Sequence, residues 1–307
     1  MKIIKWWNEF WFAPIDLFPI ALARTFFGLT LLFGYLFRFG NLDLLTTGAY
    51  VSRDRAIELI PETMRPPFLW TFWTDDWAFL MHLLFCLLLF LWSFGVGGRI
   101  LGWLTWIIHM GFIQRNFSMI FGADIIASVF LFYFVFIETP VEMKNFGWLR
   151  FRIKRNPFKS DFVSVVKSDL VSVVFFRLVQ IQMAVLYSFT GFEKLRGASW
   201  WDGTALWSVF ANPQMVIFDM SFLKSVPWII VVLSYTTVIF EVYFAPAILS
   251  QKWKKYWLMM GVGFHLGIAL FLNLWTFSFL VLSIYFIYLD PAHLRNWCSK
   301  MIHNSPS

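Results

Sequence analysis

The chain has 307 residues, 59% of them hydrophobic and 14% charged, with a formal net charge of +7 and a mean hydropathy of +0.67. Soluble domains run at roughly 45–50% apolar and about 25% charged residues, so a water-soluble globule is excluded and lipid is the solvent that fits. The basic residues sit in short segments between apolar runs, which reads as a topology signal and not as a nucleic-acid surface.

In chain order, residues 1–17 begin Met1-Lys-Ile-Ile-Lys-Trp-Trp7 and read as an interfacial amphipathic lead-in. This stretch lacks the apolar core and small-residue cleavage site of a removable signal peptide. Apolar runs near the length that crosses about 30 Å of hydrocarbon then predict spans at 18–39, 77–97, 100–116, 120–139, 170–191, 227–250, 256–273 and 275–290, followed by a tail at 291–307. The last two runs meet at Asn273-Leu274-Trp275 and read as either a tight hairpin or a re-entrant kink. Lysine and arginine favour the loops that this arrangement puts inside, such as Lys144, Arg150, Arg152, Lys154 and Arg155. The expectation is an all-α polytopic transmembrane helix bundle of about eight spans, one domain over 1–307, with both termini cytoplasmic, in a cell inner membrane. Cys86 and Cys298 make no disulfide framework. Three loops stand out. Asn41–Asp76 is charged and ends in Trp70-Thr-Phe-Trp73, Val141–Asp169 is basic, and Phe192–Val226 contains Trp200-Trp201-Asp202-Gly203. Tryptophans beside charges at a span end commonly anchor to the membrane interface.

An ionisable group at membrane depth costs at least about 2.5–3.5 kcal/mol on insertion scales, so its presence calls for a partner or a role. In the fifth span Arg177, Gln180, Ala184, Tyr187, Gly191 and Lys194 follow steps of 3, 4, 3, 4 and 3, which puts them on one helix face. The first span carries Arg24, Gly28, Leu31 and Tyr35, and the third Thr105, His109, Phe112 and Asn116. The fourth holds Asp124 and Glu138, and the sixth aligns Ser234, Thr237 and Glu241. In the seventh, His265 lies beside the pair Gly263 and Gly267, whose spacing predicts close helix packing. Arg24, Arg177, Glu138 and Glu241 either pair inside the bundle or serve a site, and His109 and His265 either bridge helices or line a pocket. His82, His109 and His265 fall on separate spans without metal-ligand spacing, so no metal is expected. Lys194 is the most suggestive residue. It ends a polar stripe beside Glu193 and Arg196, where a partly desolvated amine can serve as a base or simply snorkel to water.

The run Tyr187-Ser-Phe-Thr-Gly191-Phe-Glu-Lys194-Leu195, followed by Trp200-Trp201-Asp-Gly203, resembles the horizontally transferred transmembrane (HTTM) family. The further markers are Arg24 with Gly28, Arg115-Asn116, Glu241 and Phe264-His265, so the resemblance runs along nearly the whole chain. A well-known relative is the vitamin K-dependent gamma-carboxylase, and the resemblance implies Lys194 as base toward a reduced quinone, with His265 and Tyr187 beside it. It also implies Arg24, Arg115, Asn116, Glu241, His109 and Trp200 as pocket residues. Two features depart from the carboxylase. Gln114-Arg115-Asn116-Phe117 stands where that enzyme has an activating histidine, and no segment corresponds to its lumenal domain. A second branch of the family contains a membrane protein that helps mature a sporulation-delaying peptide toxin, and a bare membrane domain matches that branch better. Three readings follow: a membrane enzyme with Lys194 as base on a quinol-like or peptide substrate, an accessory factor for a peptide or small secreted protein, and a transporter. The lipid bilayer is a partner in all of them, and nucleic acid in none.

Overall fold

A computed structural model describes residues 2–41, 58, 75–115, 120–138, 168–213 and 215–303. The expected loops Asn41–Asp76 and Val141–Asp169 lie largely outside the described residues, as does Asn116. Among the described residues the regular elements are helices throughout and no strand occurs, so the fold is all-α. The chain divides into two compact units, one formed by Met1–Arg177 with Leu289–Ser307 and the other by Leu178–Tyr288.

The first unit contains α1 (Lys2–Phe12), α2 (Phe18–Arg38), α3 (Asp75–Ser93), α4 (Gly98–Arg115), α5 (Gly122–Val135), the beginning of α6 (Leu170–Leu195) and, near the chain's end, α13 (Pro291–His303). Helices in lipid gain little from apolar contact with one another, so close backbone approach and hydrogen bonds hold them together. Helix α2 packs on α3 through such a contact. A Cβ at Gly28 would collide with the Ser93 hydroxyl, and the Thr25 hydroxyl donates to the Ser93 carbonyl at 2.8 Å. Around this seam Phe27 meets Phe130 and Phe134 edge-on. Helix α13 is tied to the loop before α2 by Arg295, which donates to both carboxylate oxygens of Asp16 at 2.6 Å.

The second unit contains the rest of α6, the short α7 (Ala198–Trp201) and α8 (Ala205–Phe210), then α9 (Trp228–Val242), α10 (Phe244–Leu249), α11 (Lys254–Leu272) and α12 (Trp275–Ile284). Asn273 takes the left-handed conformation at φ 56° and, with Leu274, joins α11 to α12. The two helices pack on each other, so this pair is a tight hairpin. Gly203, at φ +75°, lies against Val231, which explains the glycine that follows Trp200-Trp201-Asp202. The Asp202 carboxylate accepts hydrogen bonds from the Thr204 N–H and hydroxyl, and these hold it below the usual carboxylate range.

Helices occur at every segment that the apolar runs marked. Three of them, α2, α6 and α11, are long and apolar enough to cross a membrane on their own. Phe79–Ser93, Gly122–Val135 and Trp228–Val242 are shorter apolar helices. The glycine pattern of α11 needs correction. A Cβ at Gly263 or Gly267 would meet nothing within 4 Å, whereas one at Gly261 would strike the Tyr285 hydroxyl. The spacing of Gly263 and Gly267 placed both on a face that turns away from the neighbouring helices. Helix α6 lies close to α9 at Gly191, where a Cβ would stand 2.8 Å from the Val242 backbone nitrogen.

These contacts predict opposite outcomes for two glycine substitutions. Gly191→Val forces α6 away from backbone atoms and lowers stability by about 1–3 kcal/mol, the usual cost of overpacking. Gly267→Ala is neutral or stabilising by up to about 1 kcal/mol, because it removes backbone freedom without meeting a neighbour. Thermal unfolding of the two purified variants, followed by size-exclusion chromatography in detergent, distinguishes them.

Candidate functional site

Lys194 sits in the last turn of α6, on the face that also carries Tyr187 and Gly191. Its ammonium donates to Oε2 of Glu241 on α9 at 2.7 Å. Glu241 is nearly enclosed, with 6% of its side chain exposed, whereas Lys194 keeps 23%. Gly191 makes the pair possible, because its missing side chain lets α6 reach the backbone of Glu241 and Val242. Trp200 covers the amine from the side, with Nζ 5.4 Å from its ring centroid. The sequence placed Lys194 among Glu193 and Arg196, but those two pair with each other at 2.8 Å on an exposed surface. The charge that faces Lys194 is therefore Glu241, 47 residues away.

Two turns back along α6, the Tyr187 hydroxyl lies 2.6 Å from Nε2 of His265 and 2.7 Å from the Tyr285 hydroxyl. All three residues are buried, and Phe240 and Phe244 pack against the Tyr187 ring. Among the described residues the imidazole Nδ1 has no hydrogen-bond partner. His265 thus bridges α11 to α6, and Tyr285 joins it from the turn that follows α12. Tyr285 was not singled out from the sequence. The signal that could have found it is Gly261, the one glycine of α11 whose face must accommodate a large neighbour.

The remaining candidates separate by unit. In the first unit, His109 accepts or donates a hydrogen bond with the Tyr35 hydroxyl at 3.0 Å through Nδ1 and lies 3.3 Å from the Asp124 carbonyl through Nε2. Asp124 is held by Arg38 through both carboxylate oxygens, at 2.8 and 3.0 Å, and it also accepts the Phe121 N–H at the start of α5. His82 lies 2.8 Å from the Tyr35 carbonyl through Nε2. This is a helix-bridging network with its hydrogen bonds largely closed. Arg24 is buried and lies against Gly95. Glu138 pairs with Arg99 at 3.4 Å, and Arg177 donates from Nε to the Phe10 carbonyl at 2.8 Å. Arg115 closes α4, and its side chain lies outside the described residues along with Asn116. Among the described residues no group of three or more His, Cys, Asp or Glu side chains comes together in a metal-binding arrangement.

The hydroxyl shared by His265 and Tyr285 yields a direct prediction. Tyr187→Phe leaves an imidazole nitrogen and a second hydroxyl buried without their partner, at a cost of about 1–3 kcal/mol. Thermal unfolding of this variant beside the native chain checks it, and an unchanged melting temperature would sink the idea.

The chain is 26% identical over 211 residues to the sporulation-delaying protein SdpB of Bacillus subtilis (strain 168), covering 66% of this chain and 62% of that protein. It is 28% identical over 206 residues to YitO, an uncharacterized protein of the same organism, covering 63% of this chain and 61% of that one. The chain thus spans about three-fifths of the length of these curated relatives. No solved structure matches. The HTTM domain matches residues 161–293, a shorter stretch than the motifs quoted from the sequence, yet one that contains Tyr187, Lys194, Trp200, Glu241 and His265. The chain is a membrane protein that carries an HTTM domain.

Proposed function

We propose that the chain acts in the maturation of a hydrophobic peptide at the membrane surface, with Lys194 and Glu241 exchanging a proton with that peptide. One observation carries the reading: a carboxylate enclosed by protein is joined at 2.7 Å to an amine that remains open on one side. A substrate group can reach the pair only past Lys194. Moving the shared proton onto Glu241 leaves Lys194 as an amine, which can take a proton from an acidic group of the substrate. The resulting ammonium faces the neutral Glu241 carboxyl, and return of one proton through Lys194 to a basic atom of the substrate restores the ion pair. The segment from α7 to α9 leaves Trp201, Phe218, Phe222 and Trp228 exposed, side chains suited to apolar peptide groups. His265 acts in this reading as a positioning residue, fixing Tyr187 and thereby the register of α6. The likeness to a protein named for delaying sporulation supports a role in peptide biology.

The second reading takes a reduced quinone as the substrate, as the resemblance to the carboxylase implies. Lys194 would remove a proton from a quinol hydroxyl, and Trp200 offers an aromatic face beside it. A groove of about 570 Å³ is lined by Ile4, Lys5, Asn8, Glu9, Phe12 and Ala13, none of them a candidate residue.

Lys194→Arg is the informative variant, because arginine keeps the charge and a hydrogen bond to Glu241 but does not release a proton. Lys194→Ala instead leaves a buried carboxylate unpaired, at about 3–5 kcal/mol. Expressed in Bacillus subtilis lacking SdpB, the native chain is expected to restore the delay of sporulation and Lys194→Arg to fail while remaining folded. Equal restoration by Lys194→Arg would remove proton exchange from the proposal. In lipid nanodiscs supplied with a reduced naphthoquinone and oxygen, the quinol reading requires quinone formation that falls about a hundredfold in Lys194→Arg. No turnover by the folded native chain removes that reading.

A further inference from the structure

Arg24 is a cation at membrane depth that meets no counter-charge among the described residues. It lies six residues into α2, about 9 Å along the helix from Phe18, and is 6% exposed. Its Nε has no hydrogen-bond partner, and among the described residues no carboxylate lies within ion-pair distance of it. Three other cations of the first unit are more exposed and have partners. Arg38 holds Asp124, Arg99 holds Asp169 at 2.6 Å and Glu138 at 3.4 Å, and Arg177 holds the Phe10 carbonyl. A buried guanidinium without compensation is expensive, so its retention points to an anion from outside the chain.

The surroundings of Arg24 suit an oxyanion. Its guanidinium lies against Gly95, where a Cβ would stand 3.3 Å from Cζ and collide with Nη2. Gly95 belongs to the connector between α3 and α4, in which Gly95, Gly97 and Gly98 have φ of 79°, 77° and 54°. Side chains rarely adopt these angles, so glycine serves both the turn and the approach of Arg24. The connector's own N–H groups close the turn, from Phe94 and Val96 to the Leu91 carbonyl and from Gly95 to the Trp92 carbonyl. Helix α4 opens at Gly98. The N–H groups of its first turn have no acceptor within the helix, and the positive end of its dipole faces the connector. A forked guanidinium against Gly95, three residues before a helix amino terminus, is a phosphate-binding combination.

We propose that Arg24 and the amino end of α4 bind a phosphate oxyanion, carried by a membrane lipid headgroup or taken up as free phosphate. The site belongs to the first unit and is independent of the proton exchange assigned to Lys194.

The test uses the full chain. Thermal unfolding is measured in detergent with inorganic phosphate against chloride at equal ionic strength, and in nanodiscs of phosphatidylcholine with and without phosphatidylglycerol. Stabilisation by inorganic phosphate identifies a free ion, and stabilisation by phosphatidylglycerol alone identifies the headgroup. Either response should be lost in Arg24→Gln and partly kept in Arg24→Lys. A native chain that responds to neither, or an Arg24→Gln variant that responds as the native chain does, overturns the proposal. Where Arg24→Gln does not fold, native mass spectrometry of the unaltered chain decides. Retention of phosphatidylglycerol over phosphatidylcholine by about tenfold is expected, and equal retention overturns the site.

Discussion

Hydrocarbon offers no water to a stranded donor or acceptor, and that constraint shapes most of what is distinctive in this chain. Each unit meets it with a tyrosine hydroxyl set against an imidazole: Tyr35 with His109 in the first and Tyr187 with His265 in the second. The tyrosine ring packs among phenylalanines while its hydroxyl reaches across to another helix, so one side chain supplies both apolar contact and polar glue. The hydroxyl bond selects one register between the helices that carry it, because displacement by a turn would bury both groups unpaired.

Small residues do the complementary work. Where a neighbour comes close to a helix backbone, glycine stands at the contact: Gly28 against the Ser93 side chain, Gly191 against the Val242 backbone and Gly261 against the Tyr285 ring. The second of these has a chemical consequence. Because α6 reaches the backbone of α9 at Gly191, Lys194 one turn later meets Glu241 at ion-pair distance. A structural glycine thereby determines the electrostatics of the candidate site. The carboxylate ends up inside and the amine at the rim, an asymmetry that gives the pair a direction of access.

The charged residues of the helices fall into distinct classes. Arg38 with Asp124, and Arg99 with Glu138 and Asp169, are ion pairs that fasten helix ends within the first unit. Lys194 with Glu241 is a pair open on one side. Arg24 has a glycine-rich turn for a neighbour and, among the described residues, no carboxylate. The first class reads as construction, and the other two are where interaction with something outside the chain is chemically plausible.

Much of this was legible in the sequence, because lipid imposes strong rules on local composition. Apolar length marked the helical segments, and helical spacing identified the buried stripes: Arg24, Leu31 and Tyr35, then Thr105, His109 and Phe112, then Ser234, Thr237 and Glu241 are all buried. The Lys194 motif and the HTTM resemblance were likewise visible as short local patterns. Spacing on one helix says which residues share a face but not what that face meets. The partner of Lys194 is 47 residues away, and its sequence neighbours Glu193 and Arg196 satisfy each other. Gly263 and Gly267 have the spacing of a packing motif yet turn to open space, while Gly261 carries the contact. Tyr285 joins Tyr187 across 98 residues, a pairing that no periodicity within either helix encodes. Composition and period therefore determined the solvent, the elements and their buried faces, whereas the partners across those faces depended on how helices distant in sequence come together.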